Sequence, residues 1–309
     1  MKIITVTANP CVDRTVYVKE LRRGATNRVD RVCESINGKG INTSLVIKKL
    51  GYETVAAVIE YMDGDSVYQY LSSVGMQCVY VPTYGRLRVN TKVFDTENSC
   101  VTELNCMGTA VKEGIEERLV EMVSEHLCSG DVLIVSGSVP PGISSVFYCK
   151  LLTKAKEAGA YGILDADGEL LLRGIEGKPD LIKPNVDELS RLCGKSINSA
   201  EQAAEEARSL IARGVGAVCV SFGGKGALYV TADNSYWADS PEVVVRGTVG
   251  AGDSMVAGFA IGILEGLEPE ATFKSAMALA SGSVSLDGTQ MCDRELYEKM
   301  LPLITVKEI

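Results

Sequence analysis

The chain has 309 residues, 46% of them hydrophobic and 23% charged, enough to bury a sizeable core and unlike a disordered or low-complexity protein. A net charge of -9 and a pI near 4.9 exclude a broad nucleic-acid or anionic-membrane surface, since either needs a clustered basic field. Ten cysteines scattered singly, with no CxxC pair, exclude a disulfide framework or thiolate zinc site and predict a reducing, cytoplasmic setting.

The chain opens with a strand over 3–8, whose apolar run, broken by Asn9 and Pro10, is too short for a signal peptide. Further β-branched runs predict strands over 54–59, 77–81, 132–136, 161–164 and 217–221. Helical periodicity predicts helices over 41–50, 64–74, 113–127, 145–158, 185–193, 199–213, 253–266 and 270–285. This alternation predicts an α/β fold with a mainly parallel central sheet flanked by helices. The single His126 lies in an amphipathic helix, where a structural surface role is expected. The longest apolar stretch, 249–267, holds Asp253, Glu265 and five glycines and does not read as a bilayer span.

Two segments break the alternation, 13–34 and 88–106, each strand-like without an intervening helix. They predict a small β-sheet lid apart from a main domain of 1–12, 35–87 and 107–309; edge strands of the main sheet are the alternative. In the second segment Arg88, Asn90 and Lys92 fall on one face, because strand side chains alternate, and equip that face for an anionic ligand.

Glycine-rich and polar signals recur where predicted strands end. Asn37-Gly38-Lys39-Gly40-Ile41-Asn42 precedes a helix and offers backbone amides, a cation and an amide side chain to a sugar phosphate; a tight loop with a solvated lysine is the plain alternative. Asp13 follows the first strand at its carboxyl end, where ligands bind in open parallel sheets, and suits a sugar diol. Ser136-Gly137-Ser138-Val139-Pro140-Pro141-Gly142 can place the Ser138 hydroxyl in the same crevice, or form an ordinary turn. In Lys183-Pro184-Asn185-Val186-Asp187-Glu188, Asn185 and Glu188 can hold hydrated Mg²⁺ near ATP, or serve as helix cap and first-turn acid. Ser221-Phe222-Gly223-Gly224-Lys225-Gly226 ends a further strand and is otherwise a hairpin turn.

The sharpest signal is Thr248-Val249-Gly250-Ala251-Gly252-Asp253-Ser254, a small-residue turn entering an apolar helix. The first amides of a helix lack internal partners and the dipole there is positive, so the turn can hold a phosphoryl oxygen. Helix capping is the ordinary duty of an Asp at such a position. A carboxylate beside an anion hole can also take the proton of an attacking hydroxyl, and phosphoryl transfer asks little more of its base. Neither GxxxxGK[ST] nor GxGxxG occurs, which removes support from a P-loop NTPase and a dinucleotide-binding dehydrogenase.

Taken together, these motifs resemble the ribokinase/PfkB carbohydrate-kinase family over essentially the whole chain. The opening Asn9-Pro10-Cys11-Val12-Asp13 and the Arg88-Val89-Asn90 strand look most like its hexose-phosphate branch. The resemblance implies a ribokinase-like fold and transfer of a phosphoryl group from Mg·ATP to a phosphorylated ketohexose. Fructose 1-phosphate is the leading acceptor, tagatose 6-phosphate and fructose 6-phosphate are rivals, and a non-catalytic sugar-phosphate sensor is the reading from another class. It further implies Asp253 as base and the amides of Gly250, Ala251 and Gly252 as anion hole. Asp13, Gly38, Lys39, Asn42, Asn90 and Ser138 would bind the sugar, with Arg88 and Arg28 on its phosphate. Lys183, Asn185, Ser221, Gly223, Gly224 and Gly226 would line the ATP site, Glu188 would reach Mg²⁺ through water, and the lids would clasp in a homodimer. One departure stands out: Asn37 replaces the first glycine of the family's Gly-Gly-Lys-Gly, and Asn tolerates left-handed backbone better than other side chains do.

Overall fold

The computed structural model describes residues 1–286 and 290–309. In chain order its strands are β1 (Ile3–Thr7), β2 (Cys11–Val18), β3 (Arg31–Asn37), β4 (Thr54–Tyr61), β5 (Gln77–Thr83), β6 (Arg88–Asp95), β7 (Cys100–Leu104), β8 (Val132–Ser136), β9 (Tyr161–Asp165), β10 (Leu181–Ile182), β11 (Ala217–Ser221), β12 (Gly226–Val230), β13 (Ser235–Asp239) and β14 (Val306–Glu308). The helices are α1 (Lys39–Lys49), α2 (Val67–Ser73), α3 (Ile115–His126), α4 (Phe147–Glu157), α5 (Gly168–Gly174), α6 (Val186–Cys193), α7 (Ala200–Ala212), α8 (Ala251–Glu265), α9 (Pro269–Val284) and α10 (Arg294–Met300).

Ten strands form one sheet in the order β14-β13-β12-β11-β10-β9-β8-β1-β4-β5. From β11 to β5 every neighbouring pair is parallel, whereas β12, β13 and β14 join antiparallel at one end. The parallel strands are near-continuous apolar runs because helices cover both faces. Alternate residues of β8 divide between the two cores: Leu133 and Val135 enter the one that includes α3, α4 and α7, while Val132 and Ile134 enter the one that includes α8 and α9. In the second core Phe259 stacks at 6.3 Å on Phe273, and both rings meet Tyr229 of β12. Each fully buried Phe contributes about 1.5–3 kcal/mol of transfer free energy, and truncation to Ala would cost about 3–5 kcal/mol.

β2, β3, β6 and β7 form a separate four-stranded sheet, order β3-β2-β6-β7, with no ladder to the large one, so the edge-strand alternative fails. β2 and β6 run parallel within it, and the two outer pairs are antiparallel. β2 continues from the carboxyl end of β1 and β6 from that of β5, which puts the small sheet at the end of the large one where ligands bind. Asn37 is the last residue of β3, paired with Cys11, and is not among the residues with positive φ. Replacement of glycine therefore places no strain on that turn, and left-handed tolerance is not what makes Asn acceptable there. His126 sits in the last turn of α3 with its Nδ1 2.8 Å from the Met122 carbonyl, a structural position. Among the described residues no helix is long and apolar enough to cross a membrane.

Candidate active site

The amino end of α8 is built for close approach. Gly250 caps it at φ 80°, a left-handed conformation suited to glycine, and a side chain there would run into Met291. The first-turn amides beyond it have no intrahelical acceptor. Asp253 lies in that turn and is 6% exposed. Asn42 of α1 donates its Nδ2 to Asp253 Oδ2 at 2.8 Å, and the Thr43 hydroxyl donates to the Asp253 carbonyl at 3.3 Å. No side-chain cap bond is made by Asp253, so the ordinary capping duty is not what holds it. Burial pushes its carboxyl up to about 6, with Asp165 adding repulsion and Lys39, Asn42 and Lys183 pulling the other way.

Asp165, at the carboxyl end of β9 and 2% exposed, joins the start of α1 to the loop that follows β10. Its Oδ2 lies 3.2 Å from Lys39 Nζ and its Oδ1 3.2 Å from Lys183 Nζ. Burial disfavours its charge, yet Lys183 and then Lys39 outweigh that and hold the carboxyl below its usual range. Lys183 Nζ stands 3.3 Å from where a Cβ of Gly252 would be, directly against the first turn of α8. Gly40 leaves no room for a side chain, which would collide with Thr7, so α1 sits hard against the end of β1. Two cations, two carboxylates and a free helix terminus thus meet at the ends of β1, β8, β9 and β10, an arrangement able to hold phosphoryl oxygens beside a proton acceptor.

The small sheet supplies a second polar group. Asp13 accepts from Asn90 Nδ2 at 3.2 Å and faces Lys92 Nζ at 3.4 Å, with the Cys11 thiol 3.4 Å away. Arg88 is engaged with backbone: its Nε and one terminal nitrogen donate to the Asn9 carbonyl and the other donates to Cys106. Asn9 in turn donates to Ser138 Oγ at 3.1 Å and to the Met107 carbonyl, while its own Oδ1 is buried without a partner. Ser138, Arg88 and Met107 share a cleft that includes Asn105 and Ile143. Arg28 stands apart, exposed in the loop between β2 and β3.

A separate cavity of about 520 Å³ is lined by residues that include Asn185, Asn198, Ser221, Phe222, Gly223 and Lys225. Ser221 to Gly226 is the β11–β12 hairpin turn, with Phe222 N donating to Gly226 O at 2.9 Å, and Gly224 faces open space. Asn185 and Glu188 close a capping box on α6: Asn185 Oδ1 accepts from Glu188 N at 2.8 Å and Glu188 Oε2 from Asn185 N at 2.9 Å. Their plain helix-terminus duties are therefore filled. Among the described residues no group of three His, Cys, Asp or Glu side chains could cage a metal ion.

Sequence reasoning passed over Asp165 and Asn9. The first carried the same signal as Asp13, an acid at the carboxyl end of an apolar run. The second entered only as the break that ends the first strand and as the start of the family-like Asn9-Pro10-Cys11-Val12-Asp13, without a role in the site.

Residues 5–296 match the model of the pfkB family carbohydrate kinases. The 1-phosphofructokinase of Bacillus subtilis is 32% identical over 308 residues, covering 99% of this chain and 100% of that protein. That of Escherichia coli K12 is 32% identical over 307 residues, 99% of this chain and 98% of its own. The crystal structure of phosphofructokinase-2 from Escherichia coli in complex with fructose-6-phosphate superposes with a TM-score of 0.89, at 25% identity, covering 97% of this chain and 98% of that one.

Proposed function

The chain belongs to the pfkB family of carbohydrate kinases, and we propose that it transfers the γ-phosphoryl group of ATP to the 6-hydroxyl of fructose 1-phosphate, giving fructose 1,6-bisphosphate and ADP. The observation that carries the reading is Asp253, a buried carboxylate in the first turn of α8 with Lys183 against that turn and Lys39 in its field. Full-length likeness to proteins named 1-phosphofructokinase supports the choice of acceptor.

In this reading Asp253 takes the proton of the attacking hydroxyl, with Asn42 fixing one carboxylate oxygen and leaving the other to the acceptor. The amides of Gly250, Ala251 and Gly252, with Lys183, hold the oxygens of the phosphoryl group in flight. Asp13, Asn90, Gly38, Lys39 and Ser138 bind the sugar. Arg88 and Arg28 are the candidates for its phosphate: Arg88 reaches it with the nitrogen donors its backbone bonds leave, and Arg28 by movement of its loop. Asn185, Ser221, Gly223, Gly224 and Gly226 form the nucleotide wall.

Mg²⁺ that keeps most of its waters and leans on phosphate oxygens asks for no protein cage. The absence of an acidic cluster among the described residues fits such an ion, and Glu188, whose Oε1 the capping box does not use, would reach it through water. Bound, it neutralises charge on the phosphates.

A second copy of the chain would cover the apolar face of the small sheet, where Val16 pairs with Val32 and Val93 and Val32 is 51% exposed. The ten unpaired cysteines suit a cytoplasmic location.

The likeness to phosphofructokinase-2 with fructose-6-phosphate makes that sugar the second candidate. ADP release from Mg·ATP with fructose 1-phosphate, fructose 6-phosphate and tagatose 6-phosphate in parallel tests the choice. Preference for the first is expected; preference for another moves the acceptor, and no release with any of the three reopens the substrate class.

A further inference from the structure

Asp165 touches neither the anion hole nor the acceptor group around Asp13, yet every cation near Asp253 is tied to it. Its two oxygens are divided, one to Lys39, the first residue of α1, and one to Lys183 on the loop that follows β10. The first lysine packs beside Gly137 and the second against Gly252. We propose that Asp165 is a positioning residue, a buried bridge that fixes Lys39 and Lys183 on the two sides of the phosphoryl path. The inference rests on the kinase reading for its consequence, though not for the state of Lys39.

The physical case is one of charge count. Two ammonium groups beside a helix amino terminus repel each other and the helix dipole, and burial further disfavours their charge. Asp165 offsets all three effects at once. For Lys39, burial acts downward, but Asp165 and then Asp253 and Glu188 outweigh it, so the ammonium is held above its ordinary value. The same carboxylate repels Asp253 and helps to raise it. The other titratable groups that feel Asp165 are Tyr148 of α4 and Cys219 of β11, both pushed up by burial, Cys219 to about 12, so that they stay neutral at working pH. A surface ion pair would do little of this; Asp165 acts because it is out of water.

Asp165→Asn keeps the shape and removes the charge. Active enzyme needs Asp253 ionised and Lys39 protonated, so both limbs of the kcat/KM profile should move to lower pH: the acid limb because repulsion of Asp253 is gone, the alkaline limb because Lys39 has lost its main anion. Turnover at neutral pH should fall roughly 10²-fold through misplaced cations, with KM for the sugar phosphate, which Lys39 helps to bind, rising as well. A lowered rate with both limbs in place, or an unchanged rate, overturns the proposal. The activity-independent readout is NMR of protein carrying ¹³Cε-lysine, with Lys39 assigned by Lys39→Arg. Lys39 should stay protonated past pH 11 in the wild type and titrate earlier in Asp165→Asn. Should that variant not fold, the wild-type titration decides alone: a Lys39 that titrates like an exposed lysine overturns the proposal. Absence of kinase activity in the wild type would refute the kinase reading and leave this titration to judge Asp165.

Discussion

The crevice over the large sheet and the face of the small sheet solve the problem of holding charge in different ways. In the crevice the two carboxylates are buried and each is answered, Asp165 by two lysines and Asp253 by Asn42. On the small sheet Asp13, Asn90 and Lys92 form a looser group on strands whose neighbours are largely exposed, β7 along its whole length and β3 over its first four residues. Chemistry that depends on sub-ångström placement sits where packing is rigid. In the proposed function, recognition falls to the more exposed sheet, whose closure over the sugar would exclude water from the transfer.

The contrast can be broken most severely at Asp253. Asp253→Asn should lower turnover by roughly 10²–10⁴ while nucleotide and sugar binding survive, as checked by steady-state kinetics and calorimetry. The same change should stabilise the fold. Burial raises the Asp253 pKa from its ordinary 3.8 to about 6, so its destabilising effect is complete above about pH 6, fades as pH falls from about 6 to about 4, and is absent below that. At pH 8 the variant should gain up to about 3 kcal/mol in denaturant unfolding, which separates loss of chemistry from loss of structure.

On the small sheet, effects should fall on binding. Asp13→Asn removes the charge that Lys92 faces while leaving an oxygen to accept the Asn90 bond, and should raise KM for the sugar phosphate by about 10–100-fold with kcat changed much less. Val32→Asp puts a charge on the exposed apolar face and should convert a dimer to a monomer in sedimentation at micromolar concentration; a wild type that is already monomeric would remove the clasp from the account. The smallest effect belongs to Asn37→Gly. Because Asn37 ends a strand with ordinary backbone angles, restoring the family glycine should alter turnover less than twofold and cost about 0.5–1 kcal/mol of stability.

The sequence was most legible where one pattern fixed one structure. β-branched runs located β1, β4, β5, β8, β9 and β11 to within a few residues, because strands buried on both faces are continuous apolar runs. The two-residue β10 and the three-residue β14 are too short to carry a period, and α5, interrupted by glycines at both ends, has too few turns. β12 and β13 were hidden by the expectation that a helix follows each strand, although the Ser221 to Gly226 stretch did admit a hairpin. In the crevice, the glycine turns announced Asp253, Lys39 and Asn42, since glycine at a helix start has few other reasons to cluster. Asp165 had no glycines beside it on the strand side, and its value comes from two lysines 126 and 18 positions away in the chain, a pairing that only the folded sheet creates.

The most direct test of the account is the pH dependence of kcat/KM with fructose 1-phosphate, measured for the wild type and for the residual activity of Asp253→Asn. Ionised Asp253 as base predicts a wild-type rate that falls with unit slope below about pH 6 and a variant whose residual rate lacks that limb. A limb of the same position in both proteins would contradict Asp253 as the group that takes the proton.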